Sequence, residues 1–291
     1  MTPSGTGLWR TAGLTALAML AFASNSLLCR AALATPQIDP ASFATLRTLT
    51  GALVLVALTL LRTRGASLSG TGDWRAASAL AVYMAGFAYA YISLDAGTGA
   101  LILFGAVQIT MMGFALIAGE RLRPLQWLGF TAAILGLIWL MLPGVTKPSP
   151  GGAALKALAG VGWGVYSLRG RGVGDPLAKT AANFVRALPL VALVSLVALD
   201  SFAISGRGAA LAAISGAVAS GIGYTIWYAA LHGLTASRAA MVQLTVPVIA
   251  AVGGVVLLDE RFSWRLVIAG VLTLGGVALA IGGRQRAGTS R

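Results

Sequence analysis

The segment GERLRPLQWLG (residues 119–129) has a counterpart 140 residues later in the chain, DERFSWRLVIAG (residues 259–270). Each segment joins an acidic residue to arginines, and each lies between two long uncharged stretches. Because the same charged turn recurs at matching places, the sequence indicates an internal duplication. We expect Glu120 and Glu260 to be equivalent, each pairing with a neighbouring arginine or capping the next helix.

The beginnings of the two halves are also similar. LAMLAFASNSLLCR (17–30) aligns with LAGVGWGVYSLRGR (158–171), which places Phe22 on Trp163. The similarity supports the duplication that the charged turns indicate.

A second pair of segments, FATLRTL (43–49) and NFVRAL (183–188), has an arginine at the start of an apolar stretch in each half. The longest predicted loop, PGVTKPSPGG (143–152), falls between the halves. We therefore expect one repeat over residues 1–145 and a second over residues 146–291.

The composition excludes an ordinary soluble domain. Apolar residues make up 57% of the chain and charged residues only 10%, against about 25% in soluble domains. Uncharged windows near the ~20 residues that a membrane helix needs run over 11–29, 76–94, 96–119, 124–146, 208–231, 239–258 and 266–283. Three further apolar spans contain cations: 40–61 with Arg47, 151–170 with Lys156 and Arg169, and 177–199 with Lys179 and Arg186.

Ten spans in two halves of five predict an inverted repeat. Because five is odd, the second half enters the membrane from the opposite side, and the pseudo-two-fold axis lies in the membrane plane. The predicted fold is an all-α integral membrane protein with ten transmembrane helices in two inverted five-helix repeats. Such repeats are typical of transporters that bind substrate near the midplane, where the halves meet.

The net charge of +13 is explained by membrane topology. With a cytoplasmic N-terminus, fourteen Lys and Arg residues fall on the cytoplasmic side and seven, including Arg47 and Lys156, on the other. This bias predicts that both termini are cytoplasmic and that the protein is a multi-pass protein of the cell inner membrane. Arg47 and Arg186 are expected to snorkel to opposite surfaces, with attraction of carboxylates at the two mouths as the alternative.

These features resemble the drug/metabolite transporter superfamily. The ten spans, the paired GER and DER turns and the asparagine in the first span are similar to its EamA group over the whole chain. The aromatic third and eighth spans are most similar to the YddG-type exporters of aromatic amino acids. The resemblance implies export from the cytoplasm by alternating access.

Aromatic residues form a stripe on each of two spans. The third span has Tyr83, Phe87 and Tyr91, the eighth has Tyr224, Trp227 and Tyr228, and the sixth contributes Trp163. Spacings of three and four residues place each set on one helix face. The stripes predict an aromatic-lined, nearly uncharged cavity, with helix packing as the alternative.

An amino acid in such a cavity also needs hydrogen-bond partners for its charged groups. The candidates are Ser24, Asn25, Gln108 and Gln243, and hydrogen bonding between helices is the alternative role for the three amides. Pro247 lies in the middle of the ninth span, where it removes a backbone hydrogen bond, and we expect it to act in gating. His232 is expected to make a hydrogen bond at a helix end, with proton coupling as the alternative.

The sequence predicts a transporter that exports aromatic or bulky hydrophobic amino acids. It contains no cofactor motif, metal-ligand cluster or catalytic motif, so no enzymatic activity is predicted. The predicted partners are a small-molecule substrate and the lipid bilayer, without nucleic acid, and a monomer or weak dimer is expected. The alternatives are a broader exporter of flat amphipathic compounds, including drugs, a non-transporting receptor or scaffold, and a lipid flippase with a lateral opening.

Overall fold

The computed structural model describes residues 5–33, 37–63, 72–94, 96–119, 122–141, 149–170, 175–257 and 264–282. The first five helical spans are α1 (Gly5–Leu33), α2 (Pro40–Thr63), α3 (Trp74–Ala90), α4 (Ala96–Ile117) and α5 (Pro124–Met141). The next two are α6 (Pro150–Arg169) and α7 (Pro176–Val197). Glu120 and Glu260 of the charged turns lie outside the described residues.

The last three spans include two that are not continuous α-helices. The span α8 comprises Gly206–Ile214, a π-helical segment Ser215–Ile222, and Gly223–Leu231. The span α9 comprises Ala236–Gln243 and Val246–Leu257, and α10 is Trp264–Gly282.

The predicted all-α fold with ten spans is confirmed over the described residues. The β-structure found there is an isolated bridge between Ile38 and Ile204. Helices that are long and apolar enough to cross a membrane cover Leu8–Leu33, Pro40–Thr63, Pro176–Val197, Gly206–Leu231 and Arg238–Leu257. The side of the membrane on which the termini lie remains a prediction.

The outer surface of the helices is apolar, as lipid contact requires. Leu61, Ile117 and Val197 are between 78% and 88% exposed. Trp9 and Trp264, near the ends of their spans, are 78% and 76% exposed. Exposed tryptophans at span ends are typical of the interfacial belt of membrane proteins.

Side chains from the loops cap several helices. Asp73 accepts a hydrogen bond from the Arg75 N–H at the start of α3, and Asp175 accepts from the first turn of α7. Both aspartates also form ion pairs, Asp73 with Arg169 and Asp175 with Arg62. Burial raises the pKa of the Asp73 carboxyl, but hydrogen bonds from Arg169 and the Arg75 backbone lower it more, so the net pKa lies below the ordinary value. These contacts hold α2, α3, α6 and α7 together at one end.

The helices pack in a pattern that is preserved when the two halves are exchanged. The spans α2 and α7 contact each other, as do α4 and α9, and α5 and α10. The contact of α3 with α6 is matched by that of α8 with α1, and the contact of α4 with α6 by that of α9 with α1. This correspondence is the packing that a pseudo-two-fold axis between two five-helix repeats produces.

The π-helical segment of α8 lies where α8 crosses α2 closely. A Cβ atom on Gly216 would stand 2.1 Å from the Arg47 carbonyl oxygen and 2.1 Å from the Thr50 Oγ1. Only a residue without a side chain allows this approach. The close crossing places Arg47 beside Ser220, one turn further along α8.

We expect Gly216→Ala to destabilise the protein. Overpacking costs about 1–3 kcal/mol, more than the ~0.5–1 kcal/mol that alanine gains over glycine within a helix. The control is Gly105→Ala in α4, where an added Cβ meets nothing within 4 Å and the apparent Tm should stay level or rise. Thermal unfolding in detergent measures both variants, and equal Tm values would contradict the close α2–α8 crossing.

Candidate substrate site

The two aromatic stripes converge on Trp163 in the middle of the protein. The Trp163 ring centroid lies 5.1 Å from that of Tyr83 on α3 and 4.6 Å from that of Tyr224 on α8. Phe87 continues the first stripe at 5.5 Å from Tyr83. All four rings are at least nine-tenths buried, so the structure brings one stripe from each half to a common centre.

Phe22 of α1 lies on another side of the same centre. Its ring makes edge contacts with Trp163, Tyr224 and Trp227, at 5.0, 5.7 and 5.7 Å between centroids. The indole N–H of Trp227 donates to the Ser167 hydroxyl. We call Phe22, Tyr83, Phe87, Trp163, Tyr224 and Trp227 the aromatic cluster.

The aromatic cluster is closed. A cavity of about 20 Å³ remains beside Phe22, Tyr83, Phe87 and Trp163, with Ser26 also in its wall. This volume holds about one water molecule. An aromatic side chain therefore needs the rings to move apart before it can bind here.

Arg47 reaches the aromatic cluster from α2. Its guanidinium donates to the hydroxyls of Ser220 at 2.8 Å, Tyr224 at 2.8 Å and Tyr83 at 3.2 Å. The Cζ atom also lies 5.3 Å from the ring centroids of Tyr83 and of Phe87. The side chain is 1% exposed, so the prediction that Arg47 snorkels to a surface is wrong, because the phenol hydroxyls hold the guanidinium in the interior.

Lys156 of α6 contacts both the ring and the backbone of Phe87. The ammonium lies 3.7 Å from the Phe87 ring centroid and 3.3 Å from that of Tyr91, and it donates to the Phe87 carbonyl oxygen. Lys156 is 0% exposed. Its assignment to the positive charges of a membrane surface is therefore wrong as well.

Arg186, the repeat counterpart of Arg47, has a different environment. It donates to the Ala182 carbonyl oxygen, and its Cζ lies 5.9 Å from the ring centroid of Trp74 at the start of α3. The side chain is partly exposed. Arg47 and Arg186 are equivalent in the repeat but differ in location, since Arg47 lies in the interior and Arg186 lies at the end of the helix bundle.

The predicted polar candidates mostly join helices. Asn25 accepts a hydrogen bond from Ser215 of α8, and Gln108 of α4 donates to the Ala240 carbonyl oxygen of α9 while its Oε1 has no partner within the described residues. Gln243 accepts a 2.6 Å hydrogen bond from the Trp163 indole N–H. Ser24 is exposed and donates to the Leu20 carbonyl oxygen, so the structure does not bring it to the aromatic cluster.

The outer members of the stripes lie further from the centre. Tyr91 contacts Phe87 at 5.2 Å. Tyr228 packs on Tyr166 at 5.3 Å and donates to the Tyr166 carbonyl oxygen. The Nδ1 atom of His232, at the end of α8, lies 3.0 Å from the Tyr228 carbonyl oxygen, which is the helix-end contact expected for His232.

The ninth span is interrupted beside the aromatic cluster. Its first piece ends at Gln243, the residue that binds Trp163, and its second piece begins at Val246. Pro247 follows at once and has no N–H to continue the hydrogen-bond ladder. The expected gating role of Pro247 remains a prediction. Pro247 lies directly after the interruption of α9 between Gln243 and Val246.

Comparison with known proteins identifies the family. The model of the EamA-like transporter family matches residues 9–142 and again residues 151–282. The chain belongs to the EamA-like transporter family. An uncharacterized protein of Pseudomonas aeruginosa is 54% identical over 275 residues, which cover 94% of this chain and 96% of that protein.

Two further proteins are more distantly similar to this EamA-family chain. A protein of Archaeoglobus fulgidus named as an uncharacterized transporter is 24% identical over 282 residues, 91% of this chain and 95% of that protein. A crystal structure at 22% identity has a TM-score of 0.79 and covers 95% of this chain and 98% of that chain. That likeness supports the fold.

A second, larger cavity of this transporter lies between α1 and α9, with α10 closing one side. Its volume is about 580 Å³, and its lining includes Leu8, Thr11, Met19, Arg238, Val242 and Ile249. We call it the α1–α9 cavity. Met19 is one helical turn from Phe22, and Val242 precedes Gln243, so the two helices that line this cavity also reach the aromatic cluster.

The matching face between α6 and α4 is closed. A Cβ on Gly160 would stand 2.5 Å from the Leu103 carbonyl oxygen, and one on Gly164 would stand 2.9 Å from the Thr110 Cβ. The repeat alignment places Met19 at the position of Gly160. Met19 lies at the open face between α1 and α9, and Gly160 lies at the closed face between α6 and α4. The two helix pairs therefore pack differently.

The sequence predictions missed Arg47 and Lys156 as members of this site. Arg47 lies seven residues inside α2 and Lys156 six inside α6, about 10 Å from the helix ends at 1.5 Å per residue. Cations at that depth usually mark functional sites. Their depth was therefore the available signal, and the long, flexible side chains made snorkelling an equally good interpretation.

We expect Gln243→Leu to lower the apparent Tm in detergent. The change leaves the buried Trp163 indole N–H without its acceptor, which costs about 1–3 kcal/mol. Combining it with Trp163→Phe should recover part of the loss, because neither partner is then polar. If the double variant loses as much Tm as the two single variants together, the Trp163–Gln243 hydrogen bond contributes no coupling.

Proposed function

We propose that this EamA-family transporter exports aromatic or bulky hydrophobic amino acids across the cell inner membrane by alternating access. The observation that carries the proposal is the aromatic cluster, to which both repeats contribute rings around one centre. Aromatic rings offer large contact area and prefer offset or edge contacts with other rings. A substrate with a ring or a branched apolar side chain matches such a wall better than a sugar or a polyamine.

Arg47 supplies a partner for the carboxylate of an amino acid. Its Nε and Nη2 atoms donate to the surrounding hydroxyls, which are neutral acceptors. A guanidinium can bind a carboxylate through two parallel N–H donors. In this proposal, opening of the aromatic cluster lets the carboxylate replace the Tyr224 and Tyr83 hydroxyls as acceptors.

The α1–α9 cavity serves as the access route in the proposed mechanism. It lies at the end of the protein where α8 joins α9, near Arg238. The bias of Lys and Arg residues makes this end cytoplasmic, and the burial of Arg47 and Lys156 removes two cations from the opposite side of that comparison. The proposed direction is from the α1–α9 cavity, through the aromatic cluster, to the face between α4 and α6.

A broader exporter of flat amphipathic compounds is the second candidate. The α1–α9 cavity supports it, since about 580 Å³ is in the range of pockets that bind drug-sized molecules. Ethidium, a flat cation, distinguishes the two candidates in a competition experiment. Strong competition by ethidium favours the broader exporter, and competition by leucine but not by ethidium favours the amino acid exporter.

Counterflow of labelled phenylalanine into proteoliposomes preloaded with unlabelled phenylalanine tests the proposal. We expect accumulation without an ion gradient in the wild type. Trp163→Ala should reduce the initial rate about tenfold or more, the equivalent of about 1.4 kcal/mol, because it removes the ring at the centre of the cluster. Trp163→Phe, which keeps a ring, should retain more of the rate.

Trp264→Ala is the matched control, because Trp264 is 76% exposed at the end of α10 and should leave the rate unchanged. Asn25→Ala and Trp227→Ala extend the series to the other predicted site residues. Absence of counterflow in folded wild-type protein would contradict amino acid exchange. Equal rates in Trp163→Ala and Trp264→Ala would contradict a role for the aromatic cluster.

A further inference from the structure

Arg47 and Lys156 lie at the centre of this transporter, where none of the carboxylates in the described part of the chain forms an ion pair with either. Arg47 and Lys156 are 1% and 0% exposed. Within the described ranges the ion pairs use other residues, Arg62 with Asp175 and Arg169 with Asp73, and these lie at the end of the helix bundle. Arg47, which is always charged, therefore has no counter-ion at the centre within these ranges, and a proton on Lys156 adds a second positive charge.

Such an arrangement is unfavourable for the empty protein. A buried charge loses its hydration, and without an opposite charge the loss is not recovered. Two like charges in a low-dielectric interior also repel each other. The ring faces and hydroxyls around the two cations offset part of this desolvation free energy. A bound anion would offset more of it.

Both cations touch the wall of the aromatic cluster. Arg47 Cζ lies 5.3 Å and Lys156 Nζ 3.7 Å from the centroid of the same Phe87 ring. Phe87 in turn lines the small cavity beside Trp163. A ligand whose apolar part replaces the contacts of Phe87 and Trp163 is thereby within reach of both positive groups.

The hydrogen bonds of both cations leave room for a carboxylate. Arg47 donates through Nε and Nη2 to neutral hydroxyls that an anion can replace, and Lys156 uses one of its three N–H donors on the Phe87 carbonyl oxygen. For an ammonium on the ligand, the site offers neutral acceptors, such as the hydroxyl oxygens of Tyr83 and Tyr224. A neutral hydroxyl does not compensate a further positive charge beside Arg47 and Lys156.

We propose that Arg47 and Lys156 together form an anion site that binds the substrate carboxylate, so that among compounds with the same apolar group a carboxylate without an ammonium binds most tightly. This inference rests on the proposed passage of substrate through the aromatic cluster. It adds Lys156 to Arg47 as a carboxylate partner and extends the expected substrates from zwitterionic amino acids to apolar carboxylates that are net anions.

Three compounds with the same phenylalkyl group test the preference. They are 3-phenylpropionate, which has a carboxylate alone, phenylalanine, which has both groups, and phenethylamine, which has an ammonium alone. The three compounds are compared as inhibitors of labelled phenylalanine counterflow. We expect 3-phenylpropionate to be the most potent and phenethylamine to be weaker by about tenfold or more. Equal potency of 3-phenylpropionate and phenethylamine would overturn the proposal.

Variants of the cations test which residues are responsible. Arg47→Gln and Lys156→Met should each weaken 3-phenylpropionate about tenfold and reduce its advantage over phenethylamine. Arg186→Gln is the matched control, because Arg186 holds the repeat-equivalent position of Arg47 but lies beside Trp74. It should leave the order of potency unchanged, and a loss of selectivity in Arg186→Gln alone would contradict the assignment.

Thermal stability separates a binding role of Lys156 from a structural one. If the ammonium is an uncompensated charge, Lys156→Met raises the apparent Tm of the ligand-free protein while it abolishes stabilisation by 3-phenylpropionate. If the ammonium instead holds Phe87 and Tyr91 in place, Lys156→Met lowers the Tm. The second result would overturn the proposal.

The same measurement distinguishes failure of this inference from failure of the proposed function. Stabilisation of the wild type by 3-phenylpropionate without any phenylalanine counterflow would reject the amino acid as substrate and support the anion site. Counterflow of phenylalanine with phenethylamine as potent as 3-phenylpropionate would do the opposite. Binding is measured on the full chain in detergent, so it does not depend on flux.

Discussion

The contact between Arg47 and the phenol hydroxyls of Tyr83 and Tyr224 joins the two halves of the protein at their centre. The guanidinium comes from the first half, as does Tyr83, while Tyr224 and Ser220 come from the second. In a membrane interior these polar groups have no water as a hydrogen-bond partner. Each group is therefore satisfied by the others. The aromatic cluster closes around this contact, and we expect its opening to separate at least one of the three hydroxyls from Arg47.

This contact depends on local features of α2 and α8. Gly216 allows the backbone of α8 to approach the Arg47 carbonyl oxygen, and the π-helical segment brings Ser220 to the guanidinium. π-helical turns are frequent at functional sites, where they redirect side chains. On the other side of the cluster, the break in α9 places Gln243 on the Trp163 indole. The closed centre is thus held by irregular parts of two spans.

The difference between the repeats gives the closed centre a direction. Gly160 and Gly164 let α6 pack tightly on α4, whereas Met19 in the first repeat borders the α1–α9 cavity. A transporter with alternating access needs two faces that open in turn. Here the packing of small residues closes the face between α4 and α6, while the face between α1 and α9 has a cavity.

Hydropathy and the repeated charged turn were sufficient to predict the ten helices, since both follow from the requirement for ~20 apolar residues in a span. The two aromatic stripes were also found from helical spacing, and the structure places their inner members around Trp163. The positions of Arg47 and Lys156 could not be predicted in this way. A long cationic side chain can reach water from several residues inside a helix, and only the tertiary packing of Tyr83, Tyr224 and Phe87 decides that it does not.

A structure of the protein with 3-phenylpropionate bound would show whether Arg47 and Lys156 bind a carboxylate within the aromatic cluster. We expect the phenyl ring between Trp163 and Tyr224, the carboxylate within hydrogen-bond distance of Arg47 and Lys156, and the Tyr224 hydroxyl displaced from Arg47. A ligand confined to the α1–α9 cavity, with the 2.8 Å contact between Arg47 and Tyr224 intact, would contradict it.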